Sequence, residues 1–272
     1  MTASPRRSSS RLALVLAAIV ACGATHAFGQ APAQPAAPAA APSSPALPRV
    51  PPPADLPRDR PLRAGFLLVD GVDGTELVAA YDVLQHTLSH TRPGIDAFTV
   101  SSDGGLVKTA AGLMIDAKYS FSDAPGIDIL VVPSAEHNTD SDLGNDPLIA
   151  WLTKTGGKAR YVMSLSDGAF LLAKAGLLSG RLATTDSGDQ DRFAQMFPKQ
   201  ELRRGVSFVH DGPALTSIGG ARSYDAALYL VDHLYGETVA REVAKGLVLP
   251  WPPGVEEESL PALVVKYSQT VK

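Results

Sequence analysis

Ser166 stands where a side chain could do chemistry. It follows the apolar run Tyr161-Val-Met-Ser-Leu165 and precedes Asp167-Gly168-Ala-Phe-Leu-Leu172, a pattern of strand, sharp turn and short helix. A polar residue at such a corner is lifted out of a sheet and faces the partial positive charge of a helix N-terminus. A serine hydroxyl ionises far above neutrality, so it attacks a substrate only when a positioned base takes its proton. Asp167 can cap the new helix, but it puts negative charge where an oxyanion would form. Asp186, Asp189 and Asp191 follow a little further on and add to an acidic neighbourhood in which repulsion raises a pKa or recruits a cation. Asn138, Asp140, Asp142, Gly144 and Asp146 have some spacing of a calcium loop, with the glycine misplaced and no closing glutamate, so no metal is expected there. His86 and His90 are one helical turn apart, and a cation favoured by the helix C-terminus is a simpler account of them than chelation.

The elements that must position this corner follow from apolar periodicity. Arg63 to Asp70 and Asp128 to Pro133 read as buried strands, Phe98 to Ser102 as another, and Leu106 to Lys118 as a hairpin. Leu77, Ala80, Tyr81, Leu84 and Leu88 recur at helical spacing. Pro147 to Lys154 has its proline at a helix start. Beyond the corner come a helix near Asp189 to Phe197, strands near Val206 to Val209 and Ala214 to Ile218, and helices over Ser223 to Tyr235 and Thr238 to Lys245. Strands alternating with helices at this pace imply a parallel sheet covered on both faces.

The segment Ser164-Leu-Ser-Asp-Gly-Ala-Phe-Leu-Leu-Ala-Lys-Ala-Gly-Leu-Leu-Ser-Gly-Arg-Leu-Ala-Thr-Thr-Asp186 closely resembles the nucleophile elbow of the ThiJ/PfpI superfamily, within the class I glutamine amidotransferase-like group. Thr216-Ser-Ile-Gly-Gly-Ala-Arg-Ser-Tyr-Asp-Ala-Ala-Leu-Tyr-Leu-Val231 resembles a second family segment. The closest flavour is the isonitrile hydratase-like branch and the sensor domains fused to AraC-type regulators. The resemblance covers about Ala64 to Pro250. It implies a flavodoxin-like three-layer α/β/α sandwich with a mainly parallel sheet and a nucleophile elbow.

The resemblance also assigns roles, residue by residue. Ser166 occupies the position of the family cysteine and Asp186 that of the histidine, while Glu76 falls where a first-helix carboxylate contacts the nucleophile. A carboxylate with a pKa near 4 is a poor acceptor for a serine proton. The family's glycine-rich loop is replaced by Val132-Pro133-Ser134-Ala135-Glu136-His137, so side chains narrow an approach that backbone amides leave open in relatives. His137 is the histidine expected nearest the pocket, which Asp167, Gly168, Ser134 and Ala135 would also line. The expectation is a degenerate catalytic site that binds a small polar ligand, with no cofactor. The alternatives are a hydrolase or isonitrile hydratase-like lyase using Ser166 with Glu76 or Asp186, and an envelope scaffold. A homodimer is expected from the resemblance alone.

The whole chain frames that domain. Its 272 residues carry a formal charge of -4 and are 45% hydrophobic, which gives no electrostatic reason to expect a nucleic-acid partner. Arg6, Arg7 and Arg11 followed by apolar Leu12 to Ala21 read as an export signal over residues 1–29. Ala27-Phe-Gly29 suits signal peptidase, whereas Ile19-Val-Ala-Cys22 resembles a lipobox that would lipidate Cys22 and tether the protein to a membrane. Residues 30–62 are Pro/Ala-rich and read as an extended linker, 63–250 as the folded domain and 251–272 as a tail. Cys22 is the single cysteine, so the domain has neither a disulfide nor a thiol nucleophile.

Overall fold

The computed structural model describes residues 55–57 and 59–251; the segment expected to be an export signal, Cys22, most of the linker and all of the tail but Trp251 lie outside them. Chain order begins with β1 (Leu62–Leu67), α1 (Gly74–His86), β2 (Ile95–Ser101), the hairpin β3 (Gly105–Lys108) and β4 (Met114–Ala117), and β5 (Tyr119–Ser120). Next come β6 (Ile129–Val132), α2 (Asp146–Gly156), β7 (Tyr161–Leu165), α3 (Gly168–Lys174) and β8 (Leu182–Ala183). The remainder is α4 (Gln190–Met196), β9 (Glu201–Leu202), β10 (Phe208–Asp211), β11 (Ala214–Ser217), α5 (Ser223–Tyr235) and α6 (Glu237–Gly246).

Seven strands form the main sheet in the order β10-β11-β7-β6-β1-β2-β5. All neighbours are parallel except β10 and β11. The central strands alternate between two cores, as a period of two dictates. Ala64, Phe66, Ile129, Val131, Tyr161 and Met163 join α1, α5 and α6 on one face. Leu67, Leu130, Val132 and Val162 join α2, α3 and α4 on the other. This is the three-layer α/β/α sandwich that the alternating pattern implied.

From β1 the chain crosses to β2 on one side, and from β6 it crosses to β7 on the other. The crevice beyond the carboxyl ends of β1 and β6 is therefore the topological switch point, where ligands of open α/β sheets bind. Helix α1 begins there because Asp73 accepts a hydrogen bond from the Glu76 N–H at 2.9 Å. Its start lies three residues before the first apolar repeat, Leu77.

Two local differences from the sequence reading have simple causes. The strand expected at Val206 to Val209 lies at Phe208–Asp211, because Val206 is exposed and β10 takes its register from β11, with Val209 opposite Thr216. Strands β5, β8 and β9 have two residues each, too few to show a period. Asn138, Asp140 and Asp142 form a turn of their own rather than a cation cage: buried Asn138 accepts from the Ala135 N–H and donates to Asp142. Among the described residues, no group of three or more His, Cys, Asp or Glu is arranged for a metal, and no helix is long and apolar enough to cross a membrane.

Candidate functional site

Strand β7 delivers Ser166 to the switch point with φ +49, a backbone conformation side chains rarely adopt. Such a residue costs on the order of 1–3 kcal/mol and persists only where its surroundings fix it. Two hydrogen bonds and the start of a helix do so. The Ser166 N–H donates to the Ser217 carbonyl at 3.0 Å, the Thr185 hydroxyl donates to the Ser166 carbonyl at 3.0 Å, and α3 starts two residues later. Gly168 allows that start, since a Cβ there would meet the Val132 carbonyl oxygen at 2.0 Å.

Glu76 projects from the first turn of α1 and is 3% exposed. Its Oε2 accepts from the Ser134 N–H at 2.9 Å and the Ser134 hydroxyl at 2.8 Å, and its Oε1 accepts from the Gly220 N–H at 2.9 Å. Burial pushes its pKa up, and the three donors pull the other way without cancelling the rise. A Cβ on Gly219 would lie 2.2 Å from Glu76 Oε1 and 2.4 Å from Ser166 Cβ. The carboxyl and the serine thus flank one point, and only a glycine fits between them.

Asp167 does not cap α3 with its side chain. Its Oδ1 lies 3.1 Å from the Thr185 hydroxyl, and burial, Asp189, Asp186 and Glu76 push its pKa up to about 7, with the Thr185 contact opposing. The negative charge expected beside the elbow is therefore weakened near neutral pH. Repulsion among the carboxylates, which the sequence suggested, adds to burial here because Asp186 and Asp189 return to the corner.

Asp186 is half-buried and turns its Oδ1 to the Gly188 N–H at 2.7 Å. His137 is exposed, with its ring 3.6 Å from Asp140. Ser134 and Ala135 do reach the site, but their amides donate to Glu76 and Asn138. Among the described residues, none forms a hydrogen bond with the Ser166 hydroxyl, and Ser166 is 8% exposed. Thr185, Gly219 and Gly220 escaped the sequence reading as site residues; the paired glycines after β11 were the available signal.

The raised Asp167 pKa gives a pH test. A carboxyl whose folded pKa exceeds its unfolded value contributes stability at low pH that is lost as pH rises toward the folded value. Asp167→Asn should match wild type near pH 4 and exceed it by on the order of 1–2 kcal/mol at pH 8, after discounting for partial exposure. Denaturant melts at both pH values check this, and a constant gap would remove the assigned cause.

An α/β sandwich with a strained serine corner facing a buried glutamate defines the nucleophile-elbow class. The chain belongs to the DJ-1/PfpI family, whose model matches residues 62–233. It is 30% identical over 193 residues to the isonitrile hydratase of Pseudomonas putida, covering 71% of this chain and 81% of the relative. It is 28% identical to the HTH-type transcriptional regulator CdhR of Pseudomonas aeruginosa, over 68% of this chain but only 54% of that protein. Among solved structures, a THiJ/PfpI family protein of Pseudomonas syringae superposes with a TM-score of 0.64 at 22% identity, covering 74% of this chain and 80% of that one. Drosophila melanogaster DJ-1beta gives 0.57 at 25% identity, covering 70% of this chain and all of the other.

Proposed function

We propose that this protein is an exported member of the family whose elbow binds a small polar or cationic ligand without forming a covalent bond to it. The observation that carries the reading is the use of the loop after β6. Its Ser134 and Ala135 amides, which would polarise a substrate oxygen, are committed to Glu76 and Asn138 inside the protein. Glu76, Asp167 and Asp186 around Ser166 favour a cationic or hydrogen-bond-donating guest over an anionic one. Export rests on the basic start and apolar segment of residues 1–29, with release or lipidation at Cys22 as its two forms. Cell fractionation with Cys22→Ala separates them, and recovery of full-length chain from the cytosol defeats both. The homodimer rests on family likeness, and a monomeric mass in light scattering at micromolar concentration would count against it.

The deciding experiment is labelling with a fluorophosphonate at neutral pH. Wild type should remain unlabelled, because losing a positioned base removes about a hundredfold to ten-thousandfold in rate. Stoichiometric labelling that disappears in Ser166→Ala would replace binding with covalent catalysis. A second reading is hydration of an isonitrile, after the name of the Pseudomonas putida relative. It is favoured by Asp167, whose pKa of about 7 suits proton transfer near the elbow. Turnover of an aliphatic isonitrile that is lost in Asp167→Asn would establish it.

A further inference from the structure

The parallel strands whose carboxyl ends carry the elbow begin, at their other ends, beside a separate cleft of about 420 Å³. Among the described residues its lining includes Arg60, Arg63, Lys154 and Lys158 but a single carboxylate, Asp128, in a chain whose formal charge is -4. Asp128 is already engaged. It accepts from Arg60 at 2.6 and 3.0 Å and from the Arg63 N–H at 2.9 Å, and Arg160 lies 3.5 Å away. Among the described residues, the side chains of Arg63, Lys154 and Lys158 form no ion pair.

Lys154 and Lys158 sit at the end of α2, where a helix dipole favours cations without any ligand. Arg63 lies beside Asp96 of β2 in the sheet register, without an ion pair to it among the described residues. It lies on β1, and it is partly buried, where an unpaired charge is unfavourable. Phe121 and Trp151 complete one wall, stacked on each other with ring centroids 4.3 Å apart and planes 12° apart.

We infer that this cleft is a binding site for a small organic phosphate with a flat apolar portion. The phosphate would take a forked contact from Arg63 and point-charge contacts from Lys154 and Lys158, and the apolar portion would lie against the Phe121–Trp151 wall. The site is independent of the chemistry at Ser166 and holds whichever reading of the elbow is right.

Calorimetric titration of the folded protein with phenyl phosphate at low salt is the test. Binding should be measurable below about 1 mM, weaken at least ~10-fold in Arg63→Gln and in Lys154→Gln, and remain unchanged in Ser166→Ala. The lysine variant, at an exposed position, keeps the test valid if the arginine variant fails to fold. No heat up to millimolar ligand, equal affinity in wild type and Lys154→Gln, or equally tight binding of phenol would overturn the inference. Association with anionic phospholipid vesicles without saturable phenyl phosphate binding would also overturn it, in favour of a membrane-facing surface.

Discussion

Gly219→Ala should be a severely damaging single-methyl change in the site. Its φ of +82 already disfavours any side chain, and the added carbon would fall 2.2 Å from Glu76 Oε1 and 2.4 Å from Ser166 Cβ. Neither neighbour can retreat easily. Glu76 is held by three donors, and the Ser166 backbone is bonded to Ser217 and by Thr185. Overpacking of this kind costs about 1–3 kcal/mol, and the strained backbone adds on the order of 1 kcal/mol. A melt should show a loss of about 3 kcal/mol, whereas Gly220→Ala, with nothing within 4 Å of its new carbon, should lose only what its φ of +54 demands. Equal losses in the two variants would mean that the site is not packed as described.

Glu76→Leu is expected to be comparably severe for a different reason. Removing the carboxyl leaves the Ser134 N–H, the Ser134 hydroxyl and the Gly220 N–H without the acceptor they share. An orphaned buried polar group costs about 1–3 kcal/mol, so a total loss of about 3–5 kcal/mol is expected. Glu76→Gln should be far milder. Its side-chain oxygen can still accept on one side, and it removes a charge that burial disfavours. The raised pKa fixes the sign of the pH effect: the wild-type carboxyl contributes less to stability as pH rises and it ionises. Glu76→Gln should therefore compare best with wild type under alkaline conditions and worst under acid ones. Urea melts of both variants across pH check this, and a reversed trend would mean that the donors outweigh burial.

The fold was legible where elements are long. The Ser223–Tyr235 helix has its expected bounds, and the hairpin and central strands stand where apolar runs put them. The two-residue strands were invisible because two residues carry no periodicity. At the site, the corner at Ser166 was legible from a strand meeting a helix without room for a loop. Family likeness, not spacing alone, singled out Glu76. What stayed hidden were properties created by distant segments. The Ser134 and Gly220 amides are claimed by Glu76, 58 and 144 positions earlier. No local pattern encodes such partnerships.

The ends of the main sheet limit how this molecule meets others. One outermost strand, β5, has two residues, and the other, β10, has four and runs against its neighbour. Neither offers a long row of free amides and carbonyls for a foreign strand to join. Growth by adding strands side to side is thus discouraged at both margins, a useful property for a chain proposed to fold after export. Two copies that pair should do so through helices and loops, leaving the strand order of each intact.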